Sequence, residues 1–267
     1  MHRVMLSSCL LLTATLVTQA AQAEEASRDR LLVHLTFDER EGDEAADASG
    51  SGHPGILAAE PSRPRRTAGR MGGGLAFDGV DDFVEIRAAA DLDAIQTDSY
   101  TVCAFFKPAD APPVREAAEK AHYGIVNKAG WHAGLRYNDD RTFVFDHWLQ
   151  TDDPLEPRWS GAGTNGETFA PDRWYHVAGV VDASTRTAKV FVDGVLKGTS
   201  PPWDRTNKTR DYGRATWKIG TAAPAAKAYA YPAKGVIDDV RLYGRALSDR
   251  EIAGLAKAGD AARAPRK

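Results

Sequence analysis

Short runs of alternating apolar and polar residues, broken by Gly, Pro, Asn and Asp, recur along almost the whole chain; this period-two pattern restricts the fold more than any other feature. The clearest runs are 31–37, 75–77, 83–86, 100–106, 123–126, 142–145, 174–181, 188–192, 216–219 and 236–243. A chain with so many strands must stack two sheets or close a barrel. Around residues 174–196 the order is legible locally. The runs 174–181 and 187–192 flank the polar connection 182–186, and Asp193-Gly194 supplies positive φ for a tight turn before Val195-Leu196, so three antiparallel strands follow in succession. One helix is predicted near the end. Ser248-Asp249-Arg250-Glu251 is a capping box, Ile252, Leu255 and Ala256 form an apolar stripe, and Gly259 suits its stop. The stretches 110–121, 149–172 and 201–214 read as irregular loops, and loops of that length in a compact domain are usually functional or mobile.

The first 23 residues have a different composition. Met1-His2-Arg3 is positive, 6–17 is apolar with Ser and Thr, and Ala21-Gln22-Ala23 offers small residues for cleavage before Glu24. This reads as a secretory signal peptide, because the apolar part is shorter than the roughly 20 residues of a spanning helix. The mature chain is then a secreted protein, periplasmic or extracellular and not membrane-spanning. Residues 24–30 form a linker, 31–258 one domain and 259–267 a flexible tail. Cys103 is the only cysteine after the leader, so no internal disulfide is available and stability must come from the core or a bound ion. A net charge of −3 lacks the basic footprint of nucleic-acid binding.

Several phrases, taken in order, resemble those of laminin-G-like domains of the concanavalin A-like lectin/glucanase superfamily. They are Leu35-Thr36-Phe37-Asp38-Glu39, then Asp47-Ala48-Ser49-Gly50-Ser51-Gly52, then Gly72-Gly73-Gly74-Leu75-Ala76-Phe77-Asp78-Gly79-Val80-Asp81-Asp82-Phe83-Val84. Tyr100-Thr101-Val102-Cys103-Ala104-Phe105-Phe106 follows, where the family usually has Trp near Phe105, then Trp174-Tyr175-His176-Val177-Ala178, Phe191-Val192-Asp193-Gly194, Lys218-Ile219-Gly220 and Val236-Ile237-Asp238-Asp239-Val240-Arg241-Leu242-Tyr243. The resemblance implies an all-β jelly roll: a sandwich of two antiparallel sheets of roughly six or seven strands each, with the N- and C-terminal strands adjacent and a short C-terminal helix. It names no ligand, because this fold carries lectins, adhesion modules, hydrolases and lyases.

Acidic residues are concentrated near the first strands (Asp38, Asp43, Asp47, Asp78, Asp81, Asp82) and at Asp238-Asp239 in the last. Carboxylates and loop carbonyls are the oxygen ligands that Ca²⁺ takes. The resemblance implies a structural Ca²⁺ where first and last strands meet, on Asp38 and Asp239 or Asp238, with Asp47 next and a carbonyl near Ser51 or His53. The competing reading makes Asp78-Gly79 and Asp81-Asp82 turn formers and leaves Asp238 and Asp239 satisfied at a strand end.

Catalytic patterns of the fold are missing: no strand carries the paired carboxylates a retaining glycosidase holds about 5 Å apart, and there is no nucleophile elbow. Cys103, in an apolar alternating run, reads as a buried inert thiol. Binding is therefore favoured over catalysis. Trp174 and Trp217 lie in strands, whereas Trp131, Trp148, Trp159 and Trp203 with Tyr229 fall in or beside long loops among polar neighbours such as Asn127, His132 and His147. Flat rings beside hydrogen-bonding groups suit a glycan surface, so Trp131, His132, Trp148, Trp159, Trp203 and Tyr229 are the candidate ligand residues, although rings also close the ends of large sandwiches. The partner is then a glycan or an extracellular or cell-envelope protein. The alternatives are an atypical glycoside hydrolase or lyase and a structural envelope domain.

Overall fold

The computed structural model describes residues 29–112, 122–128, 133–149, 158–203, 215–222 and 231–262. The expected leader and the candidate residues Trp131, His132 and Tyr229 lie outside them.

With strands numbered in chain order, the first antiparallel sheet runs β14 (Val195–Thr199), β13 (Thr187–Val192), β12 (Tyr175–Asp182), β7 (Tyr100–Pro108), β16 (Lys234–Tyr243), β5 (Gly73–Asp78) and β4 (Arg65–Ala68), with β1 (Leu31–Leu35) also paired to β16. The second runs β11 (Arg158–Gly163), β10 (Phe143–Leu149), β9 (Ala133–Asn138), β8 (His122–Lys128), β15 (Trp217–Ile219), β6 (Val84–Ile86), β3 (Gly55–Leu57) and β2 (Glu44–Ala45). Each sheet has eight strands, more than the six or seven expected. The surplus is short or weakly patterned. β2 to β4 have too few residues to show a period, and Arg158-Trp159-Ser160-Gly161-Ala162-Gly163 forms a strand inside the stretch read as a loop, because its glycines erase the alternation.

Strand alternation sends one face of each sheet inward. Val102, Ala104 and Phe106 of β7 and Val177 and Val181 of β12 meet Leu135, Tyr137, Phe143, Phe145, Trp217 and Ile219 of the second sheet in one core. Its rings pack edge-on or tilted, as the aromatic quadrupole prefers: Phe106 on Tyr137 at 6.1 Å and Phe143 on Tyr175 at 5.6 Å. Gly179 of β12 lets the sheets close, since a Cβ there would stand 2.2 Å from the Phe145 ring.

The hairpin read from sequence is present. Asp193 (φ 50°) and Gly194 (φ 77°) make the turn and Val192 pairs with Val195. The capping box forms as well: the Ser248 amide donates to Glu251 Oε2 (2.8 Å) and the Glu251 amide to Ser248 Oγ (3.3 Å). Two short elements, the helix α1 (Ala90–Ala94) and a 3₁₀ turn, precede β7, and the capped helix is α2 (Asp249–Ala262). Gly259 does not stop it, contrary to expectation; the helix runs on to Ala262. The glycine has another role, since a Cβ there would lie 2.5 Å from Phe105 Cζ, so it brings the helix down onto β7. Beneath α2 a second small core gathers Cys103, Ala178, Val180, Phe191, Tyr243, Leu247, Ile252 and Leu255 on the outer face of the first sheet.

First and last strands are neighbours. β16 pairs with β5 over Lys234–Ile237 and with β1 over Val240–Tyr243, and at the handover its pairing with β7 slips between Asp238 and Arg241. Asp239 sits there at φ 50°. With Ile237, Val240 and Leu242 in the core, the inserted residue leaves Asp238 and Asp239 together off the core face.

Candidate functional site

Strand pairing in the second sheet aligns one residue from each strand into a row on its outer face. Gly161 opposes Asp146, Asp146 opposes Gly134, Gly134 opposes Asn127, Asn127 opposes Lys218, Lys218 opposes Glu85, Glu85 opposes Ile56 and Ile56 opposes Glu44. The row is outward because the residues between, such as Phe145, Leu135 and Trp217, are in the core. Its two glycines put no side chain on either side of Asp146. At Gly134 the space is filled from β8: Asn127 Oδ1 lies 1.9 Å from where a Cβ would be, and Asn127 Nδ2 donates to the carbonyls of Leu135 (3.4 Å) and Thr221 (3.2 Å).

Arg136, one pleat along β9, closes on Asp146 with Nη2 to Oδ2 at 2.6 Å. The pair is sheltered, the two side chains 23% and 15% exposed, and among the described residues neither Arg136 Nε nor Asp146 Oδ1, both buried, has a hydrogen-bond partner. Burial raises the Asp146 pKa, against the lowering pull of Arg136. A buried donor and acceptor left over within one ion pair is uncommon in native structures. Farther along the row, Lys218 lies 4.7 Å over the Phe83 ring, and burial lowers its pKa while Glu85 opposes the shift. Thr216 Oγ1 donates to Glu85 at 3.3 Å.

The candidate ligand residues separate into groups here. Trp148, half-buried, stands on the outer face two residues from Asp146, and Trp159 is its cross-strand partner on β11. Trp203 is turned into the core, 7% exposed, against the His147 ring at 5.8 Å. His147 faces inward too, its Nδ1 2.8 Å from Tyr100 OH. Arg136 and Asp146 were not foreseen. Continuing the 142–145 alternation to Leu149 would have placed Asp146 and Trp148 on one face, but their pairing with β9 cannot be read locally.

Among the described residues the four expected metal ligands are not gathered into one cluster, and each has hydrogen-bond donors of its own. Both oxygens of Asp47 are taken, Oδ1 by the amides of His34 and Ser49 and Oδ2 by Ser49 Oγ and the His53 amide, all at 2.8–2.9 Å. Burial opposes but does not overcome these donors, and its pKa is lowered. Asp239 Oδ1 meets His34 Nε2 (2.7 Å) and Arg241 Nη2 (3.0 Å). Asp38 and Asp238 hold the loop between β4 and β5: Asp38 Oδ1 accepts from the Gly73 amide (2.7 Å), and Asp238 Oδ2 from those of Arg70 (2.7 Å) and Met71 (2.8 Å). Among the described residues, the carboxylates that converge closely enough to hold an ion are instead Asp78, Asp81 and Asp82, their oxygens within 4.8 Å of one another. Each has one oxygen engaged, with the Val80 amide, Ser62 Oγ and the Asp78 amide respectively. Burial, aided by Asp78, Asp81 and Glu60, pushes Asp82 up to about 6.

A family model described as the concanavalin A-like lectin/glucanases superfamily matches residues 78–253. Among solved structures, domain 4 of AbnA, a GH43 extracellular arabinanase from Geobacillus stearothermophilus, in complex with arabinotriose, is similar with a TM-score of 0.57 at 18% identity, over 85% of this chain and 98% of that domain. The binding domain of botulinum neurotoxin DC in complex with SialylT has a TM-score of 0.57 at 11% identity, over 87% of this chain and 52% of that one. Trypanosoma rangeli sialidase has 0.55 at 18%, over 87% of this chain and 33% of the enzyme. The chain thus spans nearly all of the arabinanase domain, about half of the toxin fragment and a third of the sialidase. At these identities the likeness is one of fold. No curated protein matches the chain in sequence.

Proposed function

We propose that this chain, which belongs to the concanavalin A-like lectin/glucanases superfamily, is an exported, non-catalytic glycan-binding domain that receives its sugar on the outer face of the second sheet. The observation that carries the reading is the half-buried Trp148 on the outer face of β10, two residues along the strand from the Arg136–Asp146 ion pair. A sugar presents both chemistries at once: hydroxyls that donate and accept, and a CH-rich face that stacks on an aromatic ring. The chain between β8 and β9, which carries Trp131 and His132, leaves and re-enters this sheet at Lys128 and Ala133, and Ala133 pairs with His147 beside Trp148. Trp131, His132, Trp159 and Tyr229 are kept as proposed sugar contacts by residue type; Trp203, in the core, is not. The similar arabinanase and toxin domains were solved with arabinotriose and SialylT, which supports a sugar as the ligand class.

A binding rather than a catalytic role is supported by the partner of Asp146. Glycoside hydrolysis of the common type needs two facing carboxylates, and Asp146 faces a guanidinium. The residues of 1–23 support export. A structural Ca²⁺ belongs to the same proposal, held by Asp78, Asp81 and Asp82, where a dication would offset the repulsion among three carboxylates.

A polysaccharide and oligosaccharide binding panel tests the function. A bound sugar is expected, with Trp148→Ala weakening it roughly tenfold or more, since stacked ring faces contribute about 1 kcal/mol or more on binding. Sugar binding untouched by Trp148→Ala, or no sugar bound at all, would remove the proposal.

A further inference from the structure

The two sheets end side by side in β14 and β11, and the seam between them is built from backbone. A Cβ on Gly198 would stand 1.9 Å from the Gly163 carbonyl oxygen, so the strands approach as only glycine allows. β14 is bulged here: Val190 pairs with Gly198 and Phe191 with Leu196, which leaves Lys197 out of the ladder. Its carbonyl accepts instead from Asn165 Nδ2 at 2.9 Å, while its ammonium meets Glu167 Oε1 at 2.8 Å. Asn165 and Gly166 are the middle of a tight turn, at φ 51° and 81°, closed by the Glu167 amide on the Thr164 carbonyl at 2.9 Å. Positive φ at two successive residues selects Asn-Gly, and asparagine is among the chemically labile side chains.

We propose that Asn165 is a site of spontaneous deamidation and that the reaction releases the seam between the sheets. The Gly166 nitrogen gives its proton to water and attacks Asn165 Cγ; the bond from Cγ to Nδ2 breaks, and Nδ2 leaves as ammonia with a proton from water. A second water opens the resulting five-membered imide at either carbonyl, returning a hydrogen to the nitrogen and leaving an aspartyl or isoaspartyl residue. The turn favours the attack. Both residues are exposed, a Cβ at Gly166 would meet nothing within 4 Å, and among the described residues the Gly166 amide has no hydrogen-bond partner. Asn127 and Asn138 lack these features: each is buried, 6% exposed, and the next residue, Lys128 or Asp139, has a side chain to crowd its nitrogen. The bond from Nδ2 to Lys197 opposes the reaction, which therefore draws on moments when that exposed contact opens. Afterwards the product has an acceptor where Nδ2 donated, so the Lys197 carbonyl loses its donor and faces a negative charge. The isoaspartyl form also lengthens the backbone by a methylene and breaks the turn. Because β11 is the outer neighbour of β10, the seam that fails lies one strand from Trp148.

Peptide mapping by mass spectrometry after weeks at about 37 °C, in parallel at about pH 6 and about pH 8, tests it. Among Asn127, Asn138 and Asn165, a gain of about 1 Da is expected at Asn165 alone. The gain should be faster at the higher pH, because the attacking group is the deprotonated amide, and roughly tenfold slower or worse in Gly166→Ala, whose methyl crowds the nitrogen. The modified form, separated by anion exchange, is expected to melt about 2–4 °C below the parent, and Asn165→Asp, which removes the donor without the extra methylene, to fall in the same direction. An unchanged mass at Asn165, or an equal gain at Asn127 and Asn138, would overturn the site. A modified form or an Asn165→Asp variant that melts with the parent would overturn the release of the seam.

Discussion

Asp238 has no solvent exposure; Oδ2 accepts two backbone amides, and among the described residues Oδ1 has no hydrogen-bond partner. Burial, reinforced by Asp239, pushes its pKa up to about 7, against the pull of the Met71 and Arg70 amides. An unfolded Asp titrates near 3.9, so the folded state binds the extra proton between those values. For a carboxyl raised in the fold, the stability it contributes is complete below the unfolded value and is lost as pH rises through the folded one. The shift from about 3.9 to about 7 makes that loss about 4 kcal/mol by pH 8, with an uncertainty of about 1 kcal/mol. Asp238→Asn removes the titration and keeps an oxygen for the two amides. Its own cost, a buried NH₂ with no acceptor, is about 1–3 kcal/mol and is independent of pH. Urea denaturation of both proteins from pH 4.5 to pH 8 gives the difference of interest. The variant is expected to gain about 3 kcal/mol relative to the parent across that range, and to be the less stable of the two at the acid end. Asp82, raised to about 6, and His176, lowered by burial to about 4, titrate in both proteins and cancel. Parallel stability curves would refute the reasoning, because they would mean that Asp238 is ionised throughout.

Gly259→Ala should destabilise the fold despite the better helix former: propensity returns about 1 kcal/mol, while pushing the Phe105 ring aside costs about 1–3 kcal/mol. Equal or greater stability in urea would show that the α2 contact is loose. Ca²⁺ is expected to raise the melting temperature by several degrees over EDTA, in line with about 2.7 kcal/mol at a hundredfold excess over Kd, and Asp82→Asn to abolish the rise. Identical melting with and without the ion would remove calcium from the proposal. Burial pushes the Cys103 thiol up to about 12, so it should stay inert to a thiol reagent at pH 8 until urea unfolds the chain. Prompt labelling of the native protein would contradict its place beneath α2.

The parts of the fold written in the sequence are those that depend on near neighbours. The turn at Asp193-Gly194 needs positive φ at two adjacent residues, and the capping box at Ser248 and Glu251 closes within one helical turn, so both were legible. Longer alternating runs fixed β7, β12 and β16, and the ordered phrases identified the jelly roll. Where the local signal is short or contains glycine it fails. Gly161 and Gly163 hide β11, and Gly259 reads as a stop because its close approach to Phe105 involves a residue more than 150 positions away. The site depends almost wholly on such distant pairing. The row from Gly161 to Glu44 exists only because seven strand registers align it, and Arg136 meets Asp146 only across a ladder. The same physics separates the carboxylates. The resemblance could gather Asp38, Asp47, Asp238 and Asp239 near the first and last strands, but hydrogen bonding in the folded chain decides which acid already has its donors. Asp47 and Asp239 do, and Asp78, Asp81 and Asp82 keep oxygens to offer.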